Sequence, residues 1–170
     1  VLECRIWLAA GVDRVQRTIQ TRRDQAADIR PATEADVPGV IALDEEVTGL
    51  LKRDYWRDMF ERYGAHPDAS RIFLVAENAG RIEGFIVGEV RAWEFGSTPS
   101  GWVFAVQVRP GHRVQGLGSR LFETVCDRFR AAGVDRVRTM VAPENTVIHS
   151  FFRSQGMMAG PFIELEMRLD

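Results

Sequence analysis

Three glycines, Gly111, Gly116 and Gly118, fall within "VRPGHRVQGLGSRLFETV", residues 108–125, between an apolar extended run and a stretch with helical period. A glycine loop that leads from a strand end into a helix exposes several backbone N–H groups without helical partners. It also removes the side chains that would block a ligand, and the helix dipole favours an anion there. The chemistry such a loop suits is that of a phosphate group. Two known cradles fail on residue type. A triphosphate loop needs Lys and then Ser or Thr after Gly116, where this chain has Leu117 and Gly118. A dinucleotide fingerprint needs a third glycine at the position of Leu121, and an acidic residue after a second strand.

The elements that must hold this loop follow from the hydrophobic period. "IRPATEADVPGVIAL" reads as a short extended piece at Ile29 and Arg30, then Thr33 as the N-cap of a helix running to about Thr48. "KRDYWRDMFERYG" gives a second helix closed by Gly64. From Arg71 the period becomes two: "RIFLVAE", the turn "NAG" and "RIEGFIVGEVRAW" form a hairpin, and "GWVFAVQV" a third long strand. A helix follows over Leu117 to Ala132, ended by Gly133. "VRTMV" is then a strand, "PENTVIHSFFRSQG" a helix with Pro143 or Glu144 in its first turn, and "FIELEMRL" a last alternating strand. The order β-α-α-β-β-β-α-β-α-β describes an α+β domain on a mixed, mostly antiparallel sheet flanked by helices. Residues 1–28 form an N-terminal extension, expected to be helical because Leu8, Val12, Val15 and Ile19 recur at helical spacing. That stripe needs a covering surface, which its own domain (29–170) or a homodimer contact can supply.

At 170 residues the chain suits one domain with a full core, and its 45% hydrophobic and 27% charged residues are those of a soluble globular protein. A formal net charge of -2 gives no basis for a nucleic-acid partner. No run approaches the roughly 18 apolar residues of a membrane span, and "VLECRIWLAAGVDR" lacks a basic leader, so neither anchor nor signal peptide is expected. Two distant thiols, Cys4 and Cys126, argue against a disulfide framework and for the reducing cytoplasm. His66, His112 and His149 have no acidic or cysteine partner at ligand spacing, so no metal is expected.

With these elements placed, "VRPGHRVQGLG" resembles motif A of the GNAT superfamily of N-acetyltransferases. Arg113, Gly116 and Gly118 meet its Arg/Gln-x-x-Gly-x-Gly/Ala pattern, preceded by Val106, Val108 and Pro110 at the strand end. "NTVIHSFFRSQGM" resembles motif B, with Asn145 and Gly156 in place. The resemblance covers Ile29 to Asp170. It implies acetyl-coenzyme A as the acyl donor, with the loop residues Arg113, Val114, Gln115, Gly116, Leu117, Gly118 and Ser119 holding the pyrophosphate. Val106, Gln107 and Val108 would pair with the pantetheine arm as an added strand, and Asn145 would contact that arm. Without the resemblance, Gly116 and Gly118 allow close strand-to-helix packing and Asn145 caps a helix.

The implied activity is acetyl transfer to an amine, small-molecule or protein. The acceptor, with an ordinary pKa near 10.4, must lose a proton, and the departing thiolate can be given one. The family's usual Tyr acid falls at Phe152, and the positions of its basic Glu fall at Phe104 and Met140, so all three are apolar here. Glu94, beside Trp93, and Glu45 or Glu46 are substitute bases; each also reads as a solvated charge. Tyr55, Trp56 and Tyr63 can wall an acceptor pocket, although Trp56, Met59, Phe60 and Tyr63 also have the spacing of a core stripe. His149 shares a helix face with Asn145 and Phe152. An acyl-coenzyme A binding or regulatory module that retained the cradle and lost catalysis is the competing reading.

Overall fold

The computed structural model describes residues 27–66, 68–110 and 116–169. The expected N-terminal helix, like loop residues Arg113, Val114 and Gln115, lies outside the described residues. The chain forms two compact units, Val1–Arg138 and Thr139–Asp170.

The first unit carries strand β1 (Asp28–Pro31), helices α1 (Val37–Thr48) and α2 (Arg53–Tyr63), strands β2 (Arg71–Asn78), β3 (Arg81–Arg91) and β4 (Ser100–Val108), helix α3 (Leu117–Ala131) and strand β5 (Val137–Arg138). The sheet order is β1-β2-β3-β4-β5, antiparallel except for the β4–β5 pair. From β1 to α3 each residue run forms the element its period favours. The hairpin turn at Asn78–Gly80 places Ala79 and Gly80 at positive φ. Thr33 and Asp36 form a capping box on a 3-10 turn, Glu34–Asp36, that leads into α1.

One sheet face packs on α1 and α2 through Val40, Leu43, Trp56, Met59, Phe73, Val75, Phe85 and Val87, all nearly or fully buried. Each large side chain removed from water there contributes about 1.5–3 kcal/mol before entropy is counted. The other face takes Leu121, Val125 and Phe129 of α3. Gly101 lets the Phe129 ring lie flat on the sheet, because a Cβ there would sit 2.4 Å from it.

Three expectations are corrected. "VRTMV" is strand only at Val137–Arg138, and residues 162–169 of "FIELEMRL" form no strand. Alternating residue types make an extended conformation favourable but supply no partner ladder. Here Ile163, Leu165, Met167 and Leu169 stay exposed. The second unit's helix α4 (Thr146–Ser154) also begins later than expected: Pro143 and Glu144 precede its N-cap, Asn145, and do not stand in its first turn.

Candidate functional site

The site is built on β4, where the sheet opens. Only Gly101 and Trp102 pair with β5, so from Val103 to Gln107 the second edge of β4 has no strand beside it among the described residues. A bulge sets which groups face that edge. Val87 and Gly88 of β3 pair with Ala105 and Val103, which makes Phe104 an extra residue in β4. On the near side of the bulge, Gly101 N–H donates to Arg136 of the β5 side; beyond it, Arg109 N–H donates to Glu83 of β3. Since direction alternates along an extended chain, Gln107 also turns its backbone to β3 and Val106 turns its own to the open edge. Within the Val106–Val108 run that sequence singles out, Val106 and Val108 therefore face that edge and Gln107 does not.

Past the strand end, Gly116 occupies the N-cap position of α3 at φ 74°, with open space where a Cβ would be. Only glycine takes that left-handed conformation without cost. Helix geometry leaves the N–H groups of Gly116, Leu117 and Gly118 without an intrahelical acceptor. No acidic residue stands in the first turn to compete for them. Leu117 itself is buried and anchors the helix start, while Ser119 lies half-buried one residue beyond Gly118.

Beneath β4, Asp44 of α1 is fully buried yet ionised. Its carboxylate accepts from Trp56 Nε1 at 2.8 Å, Gln107 Nε2 at 2.8 Å and Lys52 Nζ at 2.8 Å. Burial pushes its pKa up, but the hydrogen bonds from Lys52, Trp56 and Gln107 outweigh it and hold the group below the usual value. Gln107 is thereby fixed by its amide nitrogen, and its Oε1 is buried without a hydrogen bond. Arg109, next to Gln107 but one, is locked in the same way. It donates to Glu83 at 2.9 Å and to the carbonyl of Ile82 at 3.0 Å, and it pairs with Glu46 of α1. Neither Asp44 nor Arg109 was singled out by sequence reasoning; a charged residue inside an amphipathic pattern carries no mark of burial.

The sequence-derived catalytic candidates separate. Glu46 is engaged by Arg109, and Glu45 lines a 650 Å³ groove between α1 and α2 that includes no residue of β4. Trp56 is core, edge-on to Phe85 at 4.7 Å. Tyr55 is half-exposed against Trp56. Tyr63 reaches the sheet end: its hydroxyl donates to Glu89 at 3.1 Å and its ring lies 5.1 Å from Phe104. Burial, with the Glu89 charge adding to it, raises its pKa. Glu94 follows Trp93, a non-glycine residue at φ 62°, and its Oε2 is buried without a hydrogen bond.

In the second unit, Asn145 Oδ1 accepts from Ile148 N–H at 3.2 Å, so the cap that sequence allowed is present. Phe152 is buried, 5.0 Å from the Phe151 ring, and Met140 is exposed. Among the described residues no three His, Cys, Asp or Glu side chains group as metal ligands, and no helix is long and apolar enough to cross a membrane.

Comparison with known proteins adds the following. The family model described as "Acetyltransferase (GNAT) family" matches residues 39–157. An L-2,4-diaminobutyric acid acetyltransferase of Nocardia farcinica is 31% identical over 87 residues, 51% of this chain but only 44% of that protein. An L-methionine sulfoximine/L-methionine sulfone acetyltransferase of Pseudomonas aeruginosa is 31% identical over 123 residues, 64% of this chain and 67% of that protein. Among solved structures, the aminoglycoside N-acetyltransferase AAC(6')-Iy in complex with CoA superposes with a TM-score of 0.73 at 17% identity, over 83% of this chain and 93% of that one. At that identity the likeness concerns the fold.

Proposed function

We propose that this chain, which belongs to the acetyltransferase (GNAT) family, moves an acetyl group from acetyl-coenzyme A to the amine of a small molecule. The observation that carries this reading is the open edge of β4 running into the glycine-capped start of α3. A strand edge with Val106 turned outward and a helix N-terminus with free N–H groups match an arm of amides that ends in a pyrophosphate. Acetyl-coenzyme A supplies an acyl thioester: the amine nitrogen forms a bond to the carbonyl carbon, the C–S bond breaks with its electron pair on sulfur, and of the two protons the acceptor ammonium loses, one goes to a base and the other ends on the thiolate, giving amide and thiol.

This chain's residues would contribute positioning and polarisation. Gly116, Leu117, Gly118 and Ser119 hold the anion with Arg113, Val114 and Gln115 of the same loop. Val106, Gln107 and Val108 align the arm, and the resemblance to motif B assigns Asn145 to that arm as well. The N–H of Val106 lies on the edge where a thioester carbonyl can accept it, an oxyanion contact of the kind that contributes several kcal/mol. Glu94, with an unbonded carboxylate oxygen, takes the proton of the acceptor ammonium. Phe152 offers no acid, so transfer rests on alignment, which contributes more than the 10²–10⁴-fold of general acid catalysis.

Small acceptors are favoured over a protein amine because the relatives named above act on diaminobutyric acid and methionine sulfoximine. A reducing cytoplasm suits the buried thiol of Cys126, and a homodimer contact would cover the stripe of Leu8, Val12, Val15 and Ile19. A panel of amines assayed for free thiol tests the reading. Acceptor-dependent release of coenzyme A is expected. Tight coenzyme A binding with no turnover of any amine would instead identify a binding module.

A further inference from the structure

At the end of β3 and the start of β4 lies a charged cluster on the face that α2 covers. Glu89 pairs with Trp102 across the ladder and accepts from Tyr63 of α2, which fixes the face. Arg91 donates through Nε to Glu89 at 2.7 Å, and its guanidinium lies 4.9 Å from the centroid of the Trp102 ring. That fork is therefore aimed by a carboxylate behind it and an indole beside it. Its two terminal nitrogens make no hydrogen bond among the described residues; the nearer approaches Glu94 Oε2 at 3.9 Å, beyond hydrogen-bond reach.

Two buried polar atoms around this fork have no hydrogen bond, and they are of opposite sense. Trp102 Nε1 is a donor without an acceptor, and Glu94 Oε2 is an acceptor without a donor. Buried polar groups are satisfied in the great majority of cases, so a pair of orphans beside an open guanidinium points to a missing partner. That partner must accept at Arg91 and Trp102 and donate at Glu94. A carboxylate meets the first condition, since it suits a planar fork with a neighbouring N–H. An ammonium meets the second.

Charge agrees. Glu89 and Glu94 face Arg91, and Arg138 donates to Ser97 at 2.9 Å, whose hydroxyl donates to the carbonyl of Glu94. Arg71 also stands opposite Glu89 across the β2–β3 ladder, so both signs of charge meet here, which suits a zwitterion over a simple cationic amine. The backbone is also bent to make the cluster: Trp93, at φ 62°, turns the chain so that Glu94 faces back onto Arg91. Non-glycine residues held in that region are concentrated at ligand sites.

We propose that this cluster binds an α-amino acid as the acetyl acceptor, its carboxylate on Arg91 and Trp102 Nε1 and its amine on Glu94. The inference rests on the acetyl-transfer reading and names the substrate class of that same site. Tyr63 links the cluster to the Phe104 bulge, so the head group is held on the same stretch of β4 whose edge is open.

Binding and turnover test it separately. Calorimetry on the coenzyme A-loaded protein, with L-methionine sulfone and L-2,4-diaminobutyrate as probes, is expected to show tighter binding of at least one of them than of its decarboxylated amine. Arg91→Gln is expected to erase that preference, a loss of roughly 10- to 100-fold for the amino acid if a charged hydrogen bond is removed. Trp102→Phe keeps the ring, deletes only the N–H, and should reduce the same preference; coenzyme A affinity reports whether either variant is folded. Equal affinity of the wild type for amino acids and decarboxylated amines overturns the proposal. So does a preference that survives both substitutions in folded protein. Turnover of carboxylate-free amines at undiminished rate would overturn it while leaving the acetyltransferase reading intact. Amino-acid binding with no turnover of any amine would overturn the acetyltransferase reading and, with it, the acceptor role.

Discussion

Asp44 on α1 and Gln107 on β4, 63 residues apart, share a 2.8 Å hydrogen bond in which the amide nitrogen donates to a carboxylate with no exposed surface. The bond ties the first helix to the open strand just where Val106 and Val108 must present their backbone. Asp44→Ala would take the shared acceptor from the Lys52 ammonium, the Trp56 N–H and the Gln107 amide together. Lys52, 35% exposed, can turn to water, but the Trp56 N–H and the Gln107 amide would remain as buried donors without that acceptor, at about 1–3 kcal/mol each. Urea unfolding of the variant is expected to show a loss in that range; a loss below about 1 kcal/mol would mean that the network contributes little. Gln107→Leu, which removes a single donor and fills the space, should cost less.

The hairpin, α1, α2 and α3 were legible because their apolar residues keep one period over many residues. Asp44 and Arg109 were not. Each sits where the pattern allows a polar residue, and only the packing of α1 across the sheet turns that position inward. The bulge at Phe104 was equally hidden, since nothing in "GWVFAVQV" distinguishes an extra residue from a paired one. Yet that single residue decides that Val106 and Val108, and not Gln107, present their backbone at the edge. In "FIELEMRL" the error ran the other way: local alternation was strong, but a strand needs a ladder as well as a preference. Asn145 was legible twice over, as a cap and as a motif residue, and the helix start at Thr146 bears out the cap.

Acid should weaken the fold through Asp36. Hydrogen bonds from Arg30, against the cost of burial, lower its pKa from 3.8 to about 2. A depressed folded-state pKa gives stability that is present above the unfolded value and lost as pH falls through the folded one. The contribution, roughly 2 kcal/mol for that interval, is therefore expected at pH 5 and should fade between pH 4 and pH 2. Asp36→Asn should be less stable than the wild type at pH 6, and the two should converge by pH 2. Parallel stability curves across that range would contradict this.

The anion cradle predicts a strong effect from one residue. Gly118→Glu puts bulk and a negative charge into the first turn of α3, where N–H groups are proposed to meet phosphate oxygens. Coenzyme A binding should be lost while the circular dichroism spectrum and melting profile remain those of a folded protein. Gly116→Ala should act on the fold instead, because φ 74° is unfavourable for a residue with a Cβ. A penalty of about 1 kcal/mol is expected. Unchanged coenzyme A affinity in Gly118→Glu would remove the cradle from α3.

Phe152 tests how much catalysis rests on positioning. The family's acid is a tyrosine at this place in motif B, and Phe152→Tyr adds only a hydroxyl to a ring of nearly the same volume. If departure of the thiolate limits the chemical step, the single-turnover rate with a working acceptor should rise, by at most the roughly 10²–10⁴-fold that a general acid contributes. Phe152 is buried, so a hydroxyl that found no partner would be a buried donor left unsatisfied, costing about 1–3 kcal/mol of stability. Rate and stability therefore report different things and should be measured on the same preparation. A faster step at little cost in stability would show the hydroxyl meeting the departing sulfur. An unchanged single-turnover rate with coenzyme A affinity intact would mean that the thiolate leaves unaided, and that backbone N–H groups on β4 and the start of α3 carry the reaction.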